Sequence, residues 1–153
     1  MVSLVMSEPI NGESRRVQAL LDSNLESVER AEEMVLGIAR RLGFDEDDLH
    51  RIAMALRESV VNAVVHGNRY NANKKVHLSV DASRGELTIR VADEGDGFDV
   101  SALPDPLAEE NLMRQSGRGI LLMRAFVDEF EIRRGAECGT EIRMMKRLPR
   151  PLE

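Results

Sequence analysis

Residues 49–67 combine a clear helical pattern with a polar pair that the pattern does not explain. On a helical wheel of about 100° per residue, seven apolar side chains share one broad side. They are Leu49, Ile52, Ala53, Leu56, Val60, Ala63 and Val64. Glu58 and Asn62, four residues apart, share the opposite side. The stretch therefore predicts a core helix that Asp45 caps and Gly67 ends.

The polar pair on this helix has apolar neighbours on its own side. These neighbours are Met54, Ala55, Val61 and Val65. A carboxylate and a carboxamide in such surroundings cost free energy unless a partner satisfies them. A metal ion, a ligand or a substrate hydroxyl would satisfy Glu58 and Asn62, and so would water on a half-exposed face. The helix alone leaves both interpretations open.

The chain before this helix contains a candidate strand and a second amphipathic helix. Arg15 to Leu21 is predicted as a first strand. Ser23 and Glu26 match an S-x-x-E capping box, which predicts a helix starting here. Apolar residues follow at helical spacing, and Gly43 ends the helix.

After Gly67 the apolar pattern changes from a helical period to strict alternation. Two alternating runs, on either side of Ser83-Arg84-Gly85, predict a β-hairpin. Their apolar residues are Val76, Leu78, Val80, Leu87, Ile89 and Val91. Further strands are predicted around Phe130 and Ile132, and from Thr140 to Met144. Helices first and strands later predict an α+β fold, with helices on one face of a mainly antiparallel sheet.

Length and composition limit the classes of function. The 153 residues suit one domain, predicted at 14–148 between a loose leader, 1–13, and a tail, 149–153. The net charge of -6 disfavours direct nucleic-acid binding. The apolar runs are too short to span a bilayer, and no signal-peptide pattern opens the chain, so we expect no membrane segment and a cytoplasmic protein. Cys138 is the single cysteine, which excludes an intrachain disulfide and a multi-cysteine metal site.

A D-x-G-x-G motif follows the second strand of the hairpin. Gly95 and Gly97 allow close approach of the backbone to a ligand, and Asp93 offers a group that only accepts hydrogen bonds. Such an acceptor suits the amino group of adenine and opposes the carbonyl oxygen of guanine. An acidic turn is the alternative. A calcium-binding EF-hand is excluded because its final Glu position is Pro104 here.

Ser116-Gly117-Arg118-Gly119 precedes a short helical pattern through Phe126. Free amides at a helix start attract anions such as phosphate, and Arg118 adds a positive charge. No Gly-Lys-Ser/Thr and no third glycine follow, which excludes a P-loop and a Rossmann fingerprint. A tight turn with a solvated arginine remains the alternative.

The order of the three motifs resembles one family. E-x-x-x-N on a helix, D-x-G-x-G after a strand and G-x-G before a helix resemble the ATP-binding fold of gyrase, heat-shock chaperones and sensor histidine kinases. The resemblance is strongest to the small anti-sigma factor serine kinases and runs from about Asn24 to Leu148. It implies a Bergerat-type fold, a two-layer sandwich with helices on one face of a mainly antiparallel mixed sheet.

The resemblance also implies roles for individual residues. Glu58 would be the general base and Asn62 the Mg²⁺ ligand, while Asp93 would bind the adenine amino group. The remaining ATP-binding positions would be Gly95, Gly97, Gly117, Arg118, Gly119 and Thr140. Residues 100–115 would form a lid over ATP.

The function implied by the resemblance is that of an ATP- and Mg²⁺-dependent protein-serine kinase that is also an anti-sigma factor. It would phosphorylate an anti-anti-sigma protein, sequester a sigma factor and form a homodimer. Two alternatives stay open: a nucleotide-binding adaptor without kinase activity, and a detached histidine-kinase-like ATPase domain. Glu58 favours the enzyme, because nucleotide binding alone does not need a base at that position.

Overall fold

The computed structural model describes residues 3–6, 15–95, 119–135 and 139–149, and for 3–6, 119 and 120 it describes the main chain only. In this part of the chain, three α-helices and six strands follow one another. They are β1 (Ser3–Met6), β2 (Arg15–Asp22), α1 (Glu26–Leu42), α2 (Glu46–Val61), β3 (Lys75–Ser83), β4 (Glu86–Ala92), α3 (Gly119–Phe126), β5 (Glu129–Arg134) and β6 (Thr140–Arg147). A π-helical segment, Asn62–Gly67, continues directly from α2.

The six strands form one sheet in the order β1-β2-β3-β4-β6-β5. Every neighbouring pair of these described strands is antiparallel, so the parallel pairing expected of a mixed sheet does not occur among them. The helices pack on one another and cover one face of the sheet. The predicted α+β, two-layer architecture is confirmed.

The hairpin of β3 and β4 follows the predicted alternation. Its six alternating apolar residues are all buried in the core, whereas their neighbours along each strand are partly or fully exposed. Ser83 pairs with Glu86, so Arg84 and Gly85 make the turn, with Gly85 at a φ of 69°. Because a strand's side chains alternate between faces, the apolar residues of the hairpin face the helices and the residues between them face solvent.

Helix α2 presents the predicted apolar face to this sheet. All seven residues of that face are buried, and all of them except Ala53 belong to the same core cluster as the strands. Asp45 caps the helix as predicted, since its side chain accepts a 2.8 Å hydrogen bond from the Asp48 N–H. The apolar face therefore fixes which side of the helix, and hence which side chains, remain outside the core.

The predicted continuation of α2 as an α-helix to Gly67 is wrong. From Asn62 the backbone is π-helical, and the Asn68 N–H donates to the Ala63 carbonyl, five residues earlier, at 2.8 Å. A π-turn holds one more residue than an α-turn, and a periodic apolar pattern does not distinguish the two over a single turn.

The predicted capping box of Ser23 and Glu26 is also wrong. Helix α1 begins at Glu26, and the Ser23 hydroxyl instead donates to the Lys74 carbonyl at 2.5 Å. The Asn24 side chain accepts from the Ser27 N–H at 3.1 Å and so satisfies a free amide of the first turn. The Ser23 hydroxyl therefore bonds to a residue far along the chain, and not to the start of the helix as the local spacing predicted.

Part of the expected loose leader is a strand. Ser3–Met6 pairs with β2 at the edge of the sheet, in the register Ser3 to Leu20 and Met6 to Val17. The strand is short and its sequence has weak periodicity, so the sequence alone did not predict it. It forms by pairing with the open edge of β2. The other residues of 1–13 lie outside the described part of the chain.

Helix α3 packs against α2 and places Met123 fully in the core. Strands β5 and β6 follow where Phe130, Ile132 and the run from Thr140 to Met144 predicted them. Within the described ranges, no helix has the length and apolar character needed to cross a membrane.

Candidate functional site

Asp93 lies directly after β4 and is buried, with 7% of its surface exposed. Its Oδ1 accepts hydrogen bonds from the N–H groups of Gly95, at 3.0 Å, and Thr140, at 3.2 Å. Its own N–H donates to the Thr140 carbonyl at 3.0 Å. The end of β4 and the start of β6 therefore hold this carboxylate in one orientation.

Three glycines surround the Asp93 carboxylate. A Cβ atom on Gly67 would lie 2.2 Å from Asp93 Oδ2, and one on Gly139 would lie 2.1 Å from the Asp93 carbonyl oxygen. A Cβ on Gly95 would lie 2.0 Å from the carbonyl oxygen of Gly67. No side chain fits at these distances, so the corner requires glycine at all three positions.

The second carboxylate oxygen of Asp93, Oδ2, accepts no hydrogen bond from the described residues. Burial raises the pKa of Asp93, while the Gly95 and Thr140 amides and the positive charge of Lys74 act to lower it. A buried acceptor without a donor costs free energy. A ligand edge that carries an N–H donor, such as the amino group of adenine, would satisfy it.

Glu94 holds the same corner from the other side. Its Oε1 accepts from the Lys75 N–H at 3.0 Å, and its Oε2 lies 2.6 Å from His77 Nε2. Burial acts to raise the pKa of Glu94, but the hydrogen bonds from His77 and the Lys75 amide, with the charges of both residues, lower it overall. Glu94 therefore fixes β3 against the strand end that carries Asp93.

Asn68 is a residue of this site that the sequence did not single out. It is 2% exposed, its Nδ2 donates to Ser23 Oγ at 2.9 Å and to the Lys75 carbonyl at 3.0 Å, and its Oδ1 accepts from the Glu94 N–H at 2.8 Å. Its three partners come from separate parts of the chain, so the spacing of residues in the sequence could not predict these hydrogen bonds.

Glu58 and Asn62 keep the predicted spacing and common face. The Asn62 N–H donates to the Glu58 carbonyl, which is the α-helical register, and both residues are half-buried. No described residue makes a hydrogen bond to either side chain. Asn62 is the first and Gly67 the last residue of the π-helical segment, so this segment of six residues runs from the polar pair to the Asp93 corner.

The remaining predicted positions divide into two groups. Gly119 begins α3, and Thr140 begins β6 beside Asp93. Gly97, Gly117 and Arg118, together with residues 100–115, lie outside the described residues. The structure thus brings Asp93, Gly95 and Thr140 together, and it places Glu58 and Asn62 on the helix that leads to them.

The donor set fits a nucleotide-bound Mg²⁺ rather than a metal held by protein alone. The described residues contain no group of three His, Cys, Asp or Glu side chains that could enclose a metal ion. Mg²⁺ usually keeps several waters and takes one or two protein ligands plus substrate phosphates. The carboxamide oxygen of Asn62, which accepts no hydrogen bond from the described residues, is a ligand of the kind that such a site uses.

Residues 21–146 match the family described as the histidine kinase-like ATPase domain. The chain belongs to this family. Its resemblance to the anti-sigma factor serine kinases is confirmed by named relatives. The anti-sigma F factor of Bacillus subtilis is 34% identical over 104 residues, covering 67% of this chain and 71% of that protein. The serine-protein kinase RsbW of the same organism is 28% identical over 118 residues, covering 73% of this chain and 72% of that protein.

A solved structure of the same ATPase fold is also similar to this member of the family. It contains the RsbU and RsbW domains of a Mycobacterium tuberculosis protein and matches with a TM-score of 0.64 at 22% identity. The match covers 90% of this chain but 34% of that one, so this chain spans about a third of the longer protein. At this identity the likeness shows the fold alone.

Proposed function

We propose that this chain is an ATP-dependent protein-serine kinase that also acts as an anti-sigma factor. The observation that carries the proposal is the Asp93 carboxylate, which is buried, enclosed by glycines and has one oxygen that accepts no hydrogen bond from the described residues. The family match and the names of the relatives point to the same activity. The substrate would be a serine of a small anti-anti-sigma protein.

Adenine recognition would use Oδ2 of Asp93, the oxygen without a donor among the described residues. Because a carboxylate only accepts hydrogen bonds, this atom favours the adenine amino group and disfavours the guanine carbonyl. Gly95 and Gly97 would line the base and sugar, and the Thr140 amide keeps the Asp93 carboxylate oriented. The protein would therefore select ATP over GTP at the base.

The phosphates would lie between the π-helical segment and the start of α3. Gly117, Arg118 and Gly119 would contact them through free amides and a positive charge, and Asn62 would hold Mg²⁺. The metal ion neutralises charge on the phosphates when bound. No second protein ligand is needed for it.

Glu58 would act as the general base. Its carboxylate lies one helical turn from Asn62 and makes no hydrogen bond within the described part of the chain. It would accept the proton of the substrate serine as the serine oxygen bonds to the γ-phosphorus and the bond to ADP breaks. An adaptor that only binds nucleotide does not need a carboxylate here.

The biological role would be a partner switch. Unphosphorylated anti-anti-sigma protein would compete for the kinase, and its phosphorylation would free the kinase to sequester a sigma factor. We propose that the protein acts in the cytoplasm as a homodimer. The sigma-binding and substrate-binding states would both depend on the same nucleotide site.

The direct test incubates the native protein with Mg²⁺, γ-labelled ATP and small anti-anti-sigma proteins encoded in the same genome. We expect label on one serine of one partner, loss of labelling when Mg²⁺ is chelated, and much weaker labelling with GTP. Tight ATP binding without transfer to any partner would contradict the kinase and favour the adaptor. Equal binding of ATP and GTP by calorimetry would contradict the adenine assignment.

A further inference from the structure

Asn68 connects four segments of the chain around the Asp93 corner. It follows the π-helical segment, its Nδ2 reaches Ser23 after β2 and the Lys75 carbonyl in β3, and its Oδ1 accepts from Glu94 after β4. The orientation of its amide is unambiguous, since the Lys75 carbonyl can only accept and the Glu94 N–H can only donate. Both the Nδ2 and the Oδ1 of this buried side chain are therefore hydrogen-bonded.

The network continues beyond Asn68. The Ser23 hydroxyl accepts a hydrogen bond from Asn68 and donates one to the Lys74 carbonyl at 2.5 Å, and the Lys75 N–H donates to Glu94 Oε1. Ser23 is 5% exposed, so water does not readily replace these partners. Loss of any member would leave buried polar groups unpaired.

The turn after Asn68 is strained. Arg69 and Tyr70 are consecutive non-glycine residues at φ angles of 51° and 59°, in the left-handed region. L-residues adopt this conformation at a cost in free energy, and it persists where surrounding contacts fix it. The Tyr70 N–H donates to the Val64 carbonyl at 2.9 Å, and the Asn71 N–H donates to the Asn68 carbonyl at 3.0 Å. The tight turn thus keeps Asn68 directed inward at Glu94.

We propose that Asn68 is a positioning residue for adenine recognition, which it serves by fixing the main chain that carries Asp93. The Gly95 and Thr140 amides hold the Asp93 carboxylate on one side, and the Asn68–Glu94 hydrogen bond holds the adjoining peptide on the other. Asn68 also joins this peptide to the segment that starts with Asn62. It would therefore set the spacing between the base site and the phosphate site without touching ATP.

This inference rests on the proposed function, and its test compares two nucleotides. ATP and purine riboside triphosphate differ by the 6-amino group that Asp93 would bind. Calorimetric titration of the native protein should show ATP binding about 10- to 100-fold tighter, the range expected of one hydrogen bond to a charged group. In Asn68→Ala this ratio should fall by about fivefold or more, because Asp93 is no longer held in place.

Three further variants make the test independent of folding. Ser23→Ala removes a more distant member of the network and should also lower the affinity ratio, by a smaller factor. This variant tests the positioning role if Asn68→Ala does not fold. The Ser23→Ala/Asn68→Ala double variant should show the same affinity ratio as Asn68→Ala alone, because both substitutions break one hydrogen-bond network. Asp45→Ala removes the α2 cap far from the corner and should lose stability while keeping the native ratio.

The outcomes separate the two claims. A native protein that binds both nucleotides equally would overturn the adenine assignment itself. A native protein that prefers ATP, with the same preference in both Asn68→Ala and Ser23→Ala, would overturn only the positioning role. An equal loss of affinity for both nucleotides would mean that Asn68 supports the fold generally, and would also overturn that role.

Discussion

The main chain of Gly67 lies directly against the carboxylate of Asp93, so closely that a Cβ atom at position 67 would be 2.2 Å from Oδ2. The end of the π-helical segment and the end of β4 are therefore in close contact at this point. Oδ2 of Asp93, which accepts no hydrogen bond from the described residues, therefore keeps its position only because Gly67 has no side chain.

Gly67→Ala should move either the π-helical segment or Asp93. We expect a loss of about 1–3 kcal/mol in the free energy of unfolding, typical of overpacking, and at least about tenfold weaker ATP binding. Gly37→Ala is the matched control, because its Cβ would meet nothing within 4 Å inside α1. It should stabilise the protein by about 0.5–1 kcal/mol and leave ATP binding unchanged. Native ATP affinity in Gly67→Ala would contradict this account.

Asp93→Asn should separate stability from nucleotide binding. Burial raises the pKa of Asp93 in the folded protein, so its ionisation opposes folding as pH rises through that value. The neutral variant should be more stable than the native protein at pH 7, and the difference should shrink as pH falls toward about 4. Its preference for ATP over GTP should decrease, because the amide presents a donor to the base.

Urea titrations from pH 7 down to about 4.5, with calorimetry of both nucleotides at pH 7, check this prediction. Asp45→Asn is a suitable control, since it changes an exposed cap that lies away from the corner. A variant that is less stable than the native protein at every pH would show that the carboxylate is needed for folding.

Glu94→Gln should show the opposite dependence on pH. The hydrogen bonds with His77 and the Lys75 amide outweigh burial and lower the pKa of Glu94, so the carboxylate stabilises the fold above its ordinary pKa. This stabilisation is lost as pH falls through the lowered value. The variant should therefore be less stable than the native protein at pH 7, with the difference disappearing in acid. A difference that is constant from pH 7 to about 3.5 would indicate loss of packing alone.

Periodicity was sufficient to predict most of the fold. Alternating apolar residues located the β3–β4 hairpin, and the seven residues that the helical pattern predicted as an apolar face are all buried. Ala55, which the pattern placed beside the polar pair, is buried as well. Both signals are local, because each depends only on which face of one element is apolar. The sequence could not assign Ser23 or β1, since the partner of each lies far along the chain.

The candidate site was predictable where one element or one turn carries it. The spacing of Glu58 and Asn62 survives because α2 keeps its α-helical register to Asn62. Asn68 and the π-helical segment were not predictable, because their geometry is set by hydrogen bonds to Ser23, Lys75 and Glu94 across the fold. Gly97, Gly117 and Arg118 lie outside the described residues and stay predictions.

Asn62→Ala should impair nucleotide binding through the metal. The variant removes the proposed Mg²⁺ ligand, so we expect the Mg²⁺-dependent part of ATP affinity to fall, while binding without Mg²⁺ changes little. Titration of ATP with and without Mg²⁺ measures both quantities. Arg57→Ala, on the same helix but paired with Glu32, is the control and should leave both affinities unchanged. Equal loss in the two conditions would contradict the ligand role.

In the proposed mechanism, Glu58 is the catalytic base of a serine kinase. The most direct measurement is the single-turnover rate of phosphate transfer from ATP to the partner serine, in the native protein and in Glu58→Gln. We expect native ATP affinity and sigma binding in the variant, with a transfer rate lower by about 10²- to 10⁴-fold. Transfer by Glu58→Gln at the native rate would show that Glu58 is not the base.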